Sequence, residues 1–161
     1  MKLVLTNRIL TNGHYREELE KIRCAEENRI FCRHDIEHFM NVARITLIRC
    51  AEKGIEADPD VIYSAALLHD IGRYAEYTEG IPHDEAGVKI ASEILEETDC
   101  PQDVKAVILS ITGSHRRTDN EKDSLEYIFH WADKKSRMCF CCQAQTECNW
   151  HHDKRNMDIE V

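Results

Sequence analysis

Apolar residues recur at three- and four-residue spacing in almost every stretch of this chain, whereas alternating β-branched runs, the mark of half-buried strands, do not occur. The pattern predicts an all-α fold, a helical bundle of about six helices over residues 14–30, 35–53, 59–77, 84–97, 102–113 and 123–137. Asp58 followed by Pro59 marks one helix start, since a carboxylate caps the first turn and proline tolerates it; Pro101 plays the same part before Val104, Val107, Ile108 and Ile111. Gly54 and Gly113 stand where helix ends call for a left-handed residue, and Gly80, Ile81 and Pro82 form the clearest loop. With 161 residues, no internal repeat and no low-complexity linker, one domain over 1–161 is expected, closed by a cysteine-rich tail over 138–161.

The net charge of −9 repels phosphate backbones over most of the surface, which argues against general nucleic-acid binding. It leaves room for a small anion, because metal ions and a few arginines reverse the sign inside a pocket. Leu3, Val4 and Leu5 give way at once to Thr6, Asn7 and Arg8, with no small-residue cleavage site after them, so no signal peptide is read there. No run approaches the roughly 18 apolar residues that span a bilayer. The expectation is a cytoplasmic protein, alone or as a small oligomer such as a homodimer, with its eight cysteines mostly reduced.

The strongest local feature is Ala65, Ala66, Leu67, Leu68, His69, Asp70, Ile71, Gly72, Arg73, an apolar turn of small residues that runs straight into adjacent His and Asp. Two such side chains tolerate an apolar interior only with a polar partner, and a metal ion is one. A local hydrogen-bonding or solvated role is the plainer reading for an isolated pair. This pair has company: His38 precedes Val42 and Ala43 on one apolar helix face, and Asp133 follows Trp131 and Ala132 on a late helix. Imidazole and carboxylate together suit Fe, Mn, Ni, Co or Zn, and a helical bundle can bring them to one point.

On these residues the chain, from about Arg33 to Arg137, resembles the HD superfamily of metal-dependent phosphohydrolases, whose name comes from the adjacent His-Asp pair. The resemblance implies that His38, His69, Asp70 and Asp133 bind a divalent ion and that metal-bound water attacks a phosphate ester, phosphodiester or anhydride. The substrate class it suggests is a small phosphorylated compound, a nucleotide first of all. His83, which opens His-Asp-Glu-Ala-Gly-Val, and His115, which ends the apolar run of Val107, Ile108, Leu109 and Ile111, resemble the further ligands of the superfamily's two-metal branch, with Asp70 bridging. One or two ions are therefore expected; the plainer alternatives are a helix-capping His83 and an exposed His115 beside Arg116 and Arg117. Arg73 stands where the family usually has Lys, four residues after His69 and hence on the same face of a continuous helix, and a guanidinium grips phosphate in a way Lys cannot. His34, four before His38, is a candidate for the pocket edge, as ligand, phosphate donor or general acid. Two other readings belong to different classes: a non-catalytic metal- and nucleotide-binding module, and a di-iron oxygenase of the same superfamily.

Cys139, Cys141, Cys142 and Cys148 crowd the tail, and the two-residue gap between Cys139 and Cys142 is that of zinc knuckles. A structural Zn on Cys139, Cys142 and Cys148 with one of Cys24, Cys32 or His151 would staple the tail to the body, and an Fe–S cluster could use the same thiols. Buried or half-exposed reduced thiols are the competing reading.

Overall fold

The helix Pro59–Leu68 is buried on nearly every side, with Ile62, Ser64, Ala65, Ala66, Leu67 and Leu68 all withdrawn from solvent, and the rest of the fold is arranged around it. A helix apolar all round belongs at the centre, and its small Ser64, Ala65 and Ala66 let neighbours approach closely. The computed structural model describes residues 1–114 and 121–160 and is all-helical, with no strand among the described residues. In chain order the helices are α1 (Val4–Thr11), α2 (Gly13–Ala25), α3 (Ile36–Lys53), α4 (Pro59–Leu68), α5 (Arg73–Glu79), α6 (His83–Glu97), α7 (Gln102–Ser114) and α8 (Leu125–Lys135). Two short 3₁₀ turns, Cys139–Cys141 and His152–Lys154, follow α8. Helix α4 packs against α1, α3 and α7, while α8 closes the bundle against α3 and α7 and α6 lies against α5 and α7. Among the described residues no helix is long and apolar enough to cross a membrane.

The helix markers act largely as expected. Asp58 accepts from the Asp60 N–H ahead of Pro59, and Gly54 closes α3 at φ +68. Asp35 accepts the His38 N–H at 2.9 Å, which fixes the start of α3 one turn before its histidine.

The fold differs from the sequence reading in four places, each with a physical reason. Helix α1 is additional: its first turn has no capping side chain of its own, and the Asp60 carboxylate of α4 supplies the cap by accepting from the Leu5 and Thr6 N–H groups at 2.9 and 2.8 Å. Helix α2 stops at Ala25 rather than residue 30, because the next residue, Glu26, turns its carboxylate inward to hold His34. The single helix expected over 59–77 is two, broken by a turn at 69–72 in which the Ile71 and Arg73 N–H groups reach the carbonyls of Leu68 and Asp70. Gly113 lies within α7 rather than at a left-handed end; among the described residues the left-handed glycines are Gly54, after α3, and Gly80, after α5. Gly113 serves packing instead, since a Cβ on it would meet Val88 Cγ2 at 3.0 Å.

Candidate metal centre

The break between α4 and α5 is what assembles the site. His69 is the last residue in α4 geometry and Asp70 the first of the turn, so His69 Nε2 and Asp70 Oδ2 face the same point, 3.0 Å apart. Helix α3 delivers His38 Nε2 to 3.5 Å from Asp70 Oδ2, and α8 delivers Asp133 Oδ1 to 3.3 Å from His38 Nε2 and 3.8 Å from His69 Nε2. All four side chains are buried, and one ligand atom from each lies within 4.8 Å of every other; among the described residues they form the one such cluster of three or more His, Cys, Asp or Glu.

Hydrogen bonds set the two imidazoles for this task. His69 Nδ1 donates to the Ala66 carbonyl at 2.7 Å, and His38 Nδ1 donates at 3.0 Å to Ser136 Oγ, which donates in turn to the Asp133 carbonyl. Each ring thereby turns Nε2 inward. The electrostatics favour a cation. Burial alone would raise both carboxyls, but His69, His34 and Arg73 around Asp70, and His38, His69 and Lys134 around Asp133, hold them well below the usual carboxylate range. Burial works against a charge on His69, yet Asp70 and Asp133 outweigh it and push its pKa up to about 9. A field that retains a proton there also attracts a divalent ion. Bonds of about 2.0–2.2 Å put neighbouring ligand atoms roughly 3–3.5 Å apart, close to the spacing found. Two neutral nitrogens and two carboxylate oxygens thus fit a first-row divalent metal.

The two oxygens of Asp70 face different company. Oδ2 belongs to the cluster, with His34 Nε2 also 3.9 Å away; Oδ1 accepts from Arg73 Nε at 2.9 Å and lies 3.3 Å from His83 Nε2. Glu76 joins them, at 2.8 Å from both Arg73 NH1 and His83 Nδ1. Burial and the nearby Arg73 bring His83 down to about 4, so it is neutral near pH 7. Arg73 therefore does not reach along the face of His69: the helix break turns it onto Asp70 and Glu76. His115 lies outside the described residues.

His34 is buried against Glu26, which accepts from the His34 backbone N–H at 2.8 Å, from His34 Nδ1 and from the Tyr77 hydroxyl at 2.5 Å. Burial pushes Glu26 up, but His34 and Tyr77 outweigh it and bring it to about 2, so it is ionised. His34, its pKa lowered by burial, donates an Nδ1–H hydrogen bond to that carboxylate and turns Nε2 to the centre as an acceptor. The sequence reading missed Glu26, Glu76, Tyr77, Ser136 and Arg137. Only Arg137 carried a local signal, four residues after Asp133 and just past the end of α8; its NH2 donates to His38 Nε2 at 3.0 Å.

A cavity of about 260 Å³ opens onto Asp133, His34 and Arg73 and is walled by Lys134 and Arg137 together with Cys32, Cys139, Cys142 and Cys148. The sulfurs of Cys139, Cys142 and Cys148 do not form a close-ligand cluster like the one around Asp70, because the 3₁₀ turn and the loop after it spread them along the cavity wall. The Zn site expected on Cys139, Cys142 and Cys148 is not among the close-ligand groups of the described residues. Cys24 and His151 are exposed and do not line this cavity.

A helical domain that gathers two histidines and two aspartates around one buried point can hold a metal ion there. Residues 35–138 match the HD domain family, and the chain belongs to it. It is 33% identical to an uncharacterized protein of Clostridium beijerinckii over 153 residues, covering 95% of this chain and 96% of that one. It is also similar to the crystal structure of a predicted HD superfamily hydrolase from an uncultured Thermotogales bacterium, with a TM-score of 0.59 and 28% identity over 89% of this chain and 82% of that one. These matches place the chain in a superfamily of metal-dependent hydrolases.

Proposed function

We propose that this protein is a divalent-metal-dependent phosphohydrolase whose substrate is a small phosphate ester or anhydride, a nucleotide in the first instance. The observation that carries the reading is the position of the His38, His69, Asp70 and Asp133 cluster beside a cavity walled by Lys134 and Arg137, a local cationic surface on a chain of net charge −9. His38, His69, Asp70 and Asp133 would hold a divalent ion, which would supply Lewis acidity to activate water and polarise a phosphoryl oxygen. His34 serves as the proton acceptor. The ionised Glu26 fixes its tautomer with Nε2 unprotonated, which suits a base and not the phosphate donor or general acid considered from sequence. Arg137, which donates to His38 Nε2 here, turns to the phosphate once that lone pair is given to an ion. Arg73 holds Asp70 Oδ1 in place and supplies positive charge on that side of the centre.

The decisive experiment is release of phosphate by the metal-reconstituted protein from a panel of nucleotides and other phosphate esters. Turnover that depends on added metal and saturates with one substrate class is expected. Oxygen consumption without phosphate release would replace hydrolysis with oxidation, and tight nucleotide binding without turnover would make the protein a sensor.

The reading extends to the second ion. His83, Glu76 and Asp70 Oδ1 offer it a place, but Arg73 already occupies that carboxylate oxygen, so a second ion must displace a guanidinium. Titration with Mn²⁺ should show one tight site and one at least about tenfold weaker. Arg73→Ala should tighten the weak site, and His83→Ala should abolish it while sparing the tight one. Two equal sites unaffected by Arg73→Ala would refute this assignment.

A further inference from the structure

The chain after α8 is long, ordered and poorly supplied with apolar contacts. From residue 137 to 160 its regular structure is two one-turn 3₁₀ segments, and its buried side chains are Cys139, Ala144 and Asn156. Segments of this length without a core of their own are normally stapled by a disulfide or a metal. No disulfide is present: all eight cysteines are thiols.

Four of those thiols nevertheless line one cavity. Cys32, from the loop before α3, lines the same cavity as Cys139, Cys142 and Cys148, and the Cys139 and Cys142 sulfurs act electrostatically on the Cys32 thiol. The backbone of three of the four is pinned by a side chain donating to the residue's own carbonyl: Arg29 Nε to Cys32 at 2.9 Å, Gln145 Nε2 to Cys139 at 2.7 Å and Arg155 NH2 to Cys148 at 3.1 Å. The other thiols do not line this cavity, although Cys141 shares a neighbouring one with Cys32 and Cys142. Cys141 is exposed and donates to the Met138 carbonyl, Cys24 is exposed on α2, and Cys50 and Cys100 are buried apart from this cavity.

The space between the four sulfurs selects among metals. A zinc ion bonded to sulfur at about 2.3 Å draws four thiolates within about 4 Å of one another. Among the described residues no three cysteine sulfurs lie within 4.8 Å of each other, while Cys32, Cys139, Cys142 and Cys148 all line one cavity of about 260 Å³. A polynuclear iron–sulfur cluster, whose thiolates bind different irons, takes four thiolates set farther apart than a single ion does. Its negative charge also needs company, and Arg29 and Arg155 stand beside Cys32 and Cys148.

We propose that Cys32, Cys139, Cys142 and Cys148 are the thiolate ligands of an iron–sulfur cluster that clamps the C-terminal segment against the loop before α3, forming one wall of the cavity at the metal centre. This site is separate from the one around Asp70 and does not rest on the hydrolase reading. It selects Cys32 over Cys24 and His151 as the fourth ligand, because only Cys32 reaches this cavity.

Full-length protein isolated without oxygen, or reconstituted with iron and sulfide, should contain iron and acid-labile sulfide in roughly equal amounts and show the visible absorption of a thiolate-ligated cluster. Cys32→Ser, Cys142→Ser and Cys148→Ser should each lose most of the sulfide, whereas Cys24→Ser and Cys141→Ser keep it. Asp70→Asn should also keep it, because labile sulfide reports the cluster and not the His/Asp centre. Unaltered protein that takes up no sulfide, or that binds zinc at the four thiols instead, overturns the proposal, and this result needs no variant to fold. Full sulfide content in Cys32→Ser would overturn the choice of fourth ligand.

Discussion

Replacing Asp70 with asparagine should empty the centre of its metal and lower phosphate release at least ~10³-fold. No other side chain of the cluster has so many charged or ionisable neighbours: His34, His38 and His69 face Oδ2, and Arg73 and His83 face Oδ1. Asparagine keeps the shape and removes the charge, so lost occupancy reports electrostatics and not a cavity. The metal-free variant gathers Arg73 and three or four imidazoles around a neutral amide, and removing one partner from such a buried set costs roughly 3–5 kcal/mol. Helical content by circular dichroism should therefore be measured beside metal content and turnover. A folded Asp70→Asn protein with full metal occupancy and near-normal turnover would end the metal-hydrolase reading at its centre.

Gly72→Ala should be among the most destabilising single-methyl changes in the chain. A Cβ at Gly72 would stand 2.3 Å from the His83 carbonyl oxygen and 2.5 Å from the Gly87 nitrogen, both backbone atoms of α6 that no rotamer change can move. The backbone angle of Gly72 is ordinary, φ −82, so the requirement is one of contact and not of conformation. Overpacking usually costs about 1–3 kcal/mol; with both obstacles in the main chain the cost should reach or exceed the top of that range, lowering Tm by about 6–12 °C. The displaced α6 carries His83, so the weaker Mn²⁺ site should suffer even where the fold survives. Gly13→Ala is the contrast: nothing lies within 4 Å of its Cβ, and alanine at that first position of α2 should be neutral or slightly stabilising. Equal melting temperatures for the two variants would show that the close approach of the α4–α5 turn to α6 is not what Gly72 provides.

The sequence by itself determined the helical class, the position of most helices and the identity of the four clustered residues, because these depend on local signals. Periodicity marks a buried face, Asp58 with Pro59 marks a start, Gly54 marks an end, and an acidic residue next to histidine at the end of an apolar helix is costly without a partner. The tertiary structure alone decided what depends on residues far apart in the chain. Helix α1 exists because Asp60, more than fifty positions away, caps it. Helix α2 ends early because Glu26 is drawn to His34, and that contact turns His34 from a candidate donor into an acceptor. The turn at 69–72 could not be read from a helical pattern that continues through it: Gly72 sits where the backbone of α6 comes too close for any side chain. That turn sets Arg73 against Asp70, and the grouping of Cys32 with three thiols more than a hundred residues later was equally out of reach. Local energetics are written in neighbouring residues, whereas a cap, a close approach or a shared cavity is a property of two segments at once, and one sequence states their residues without stating that they meet.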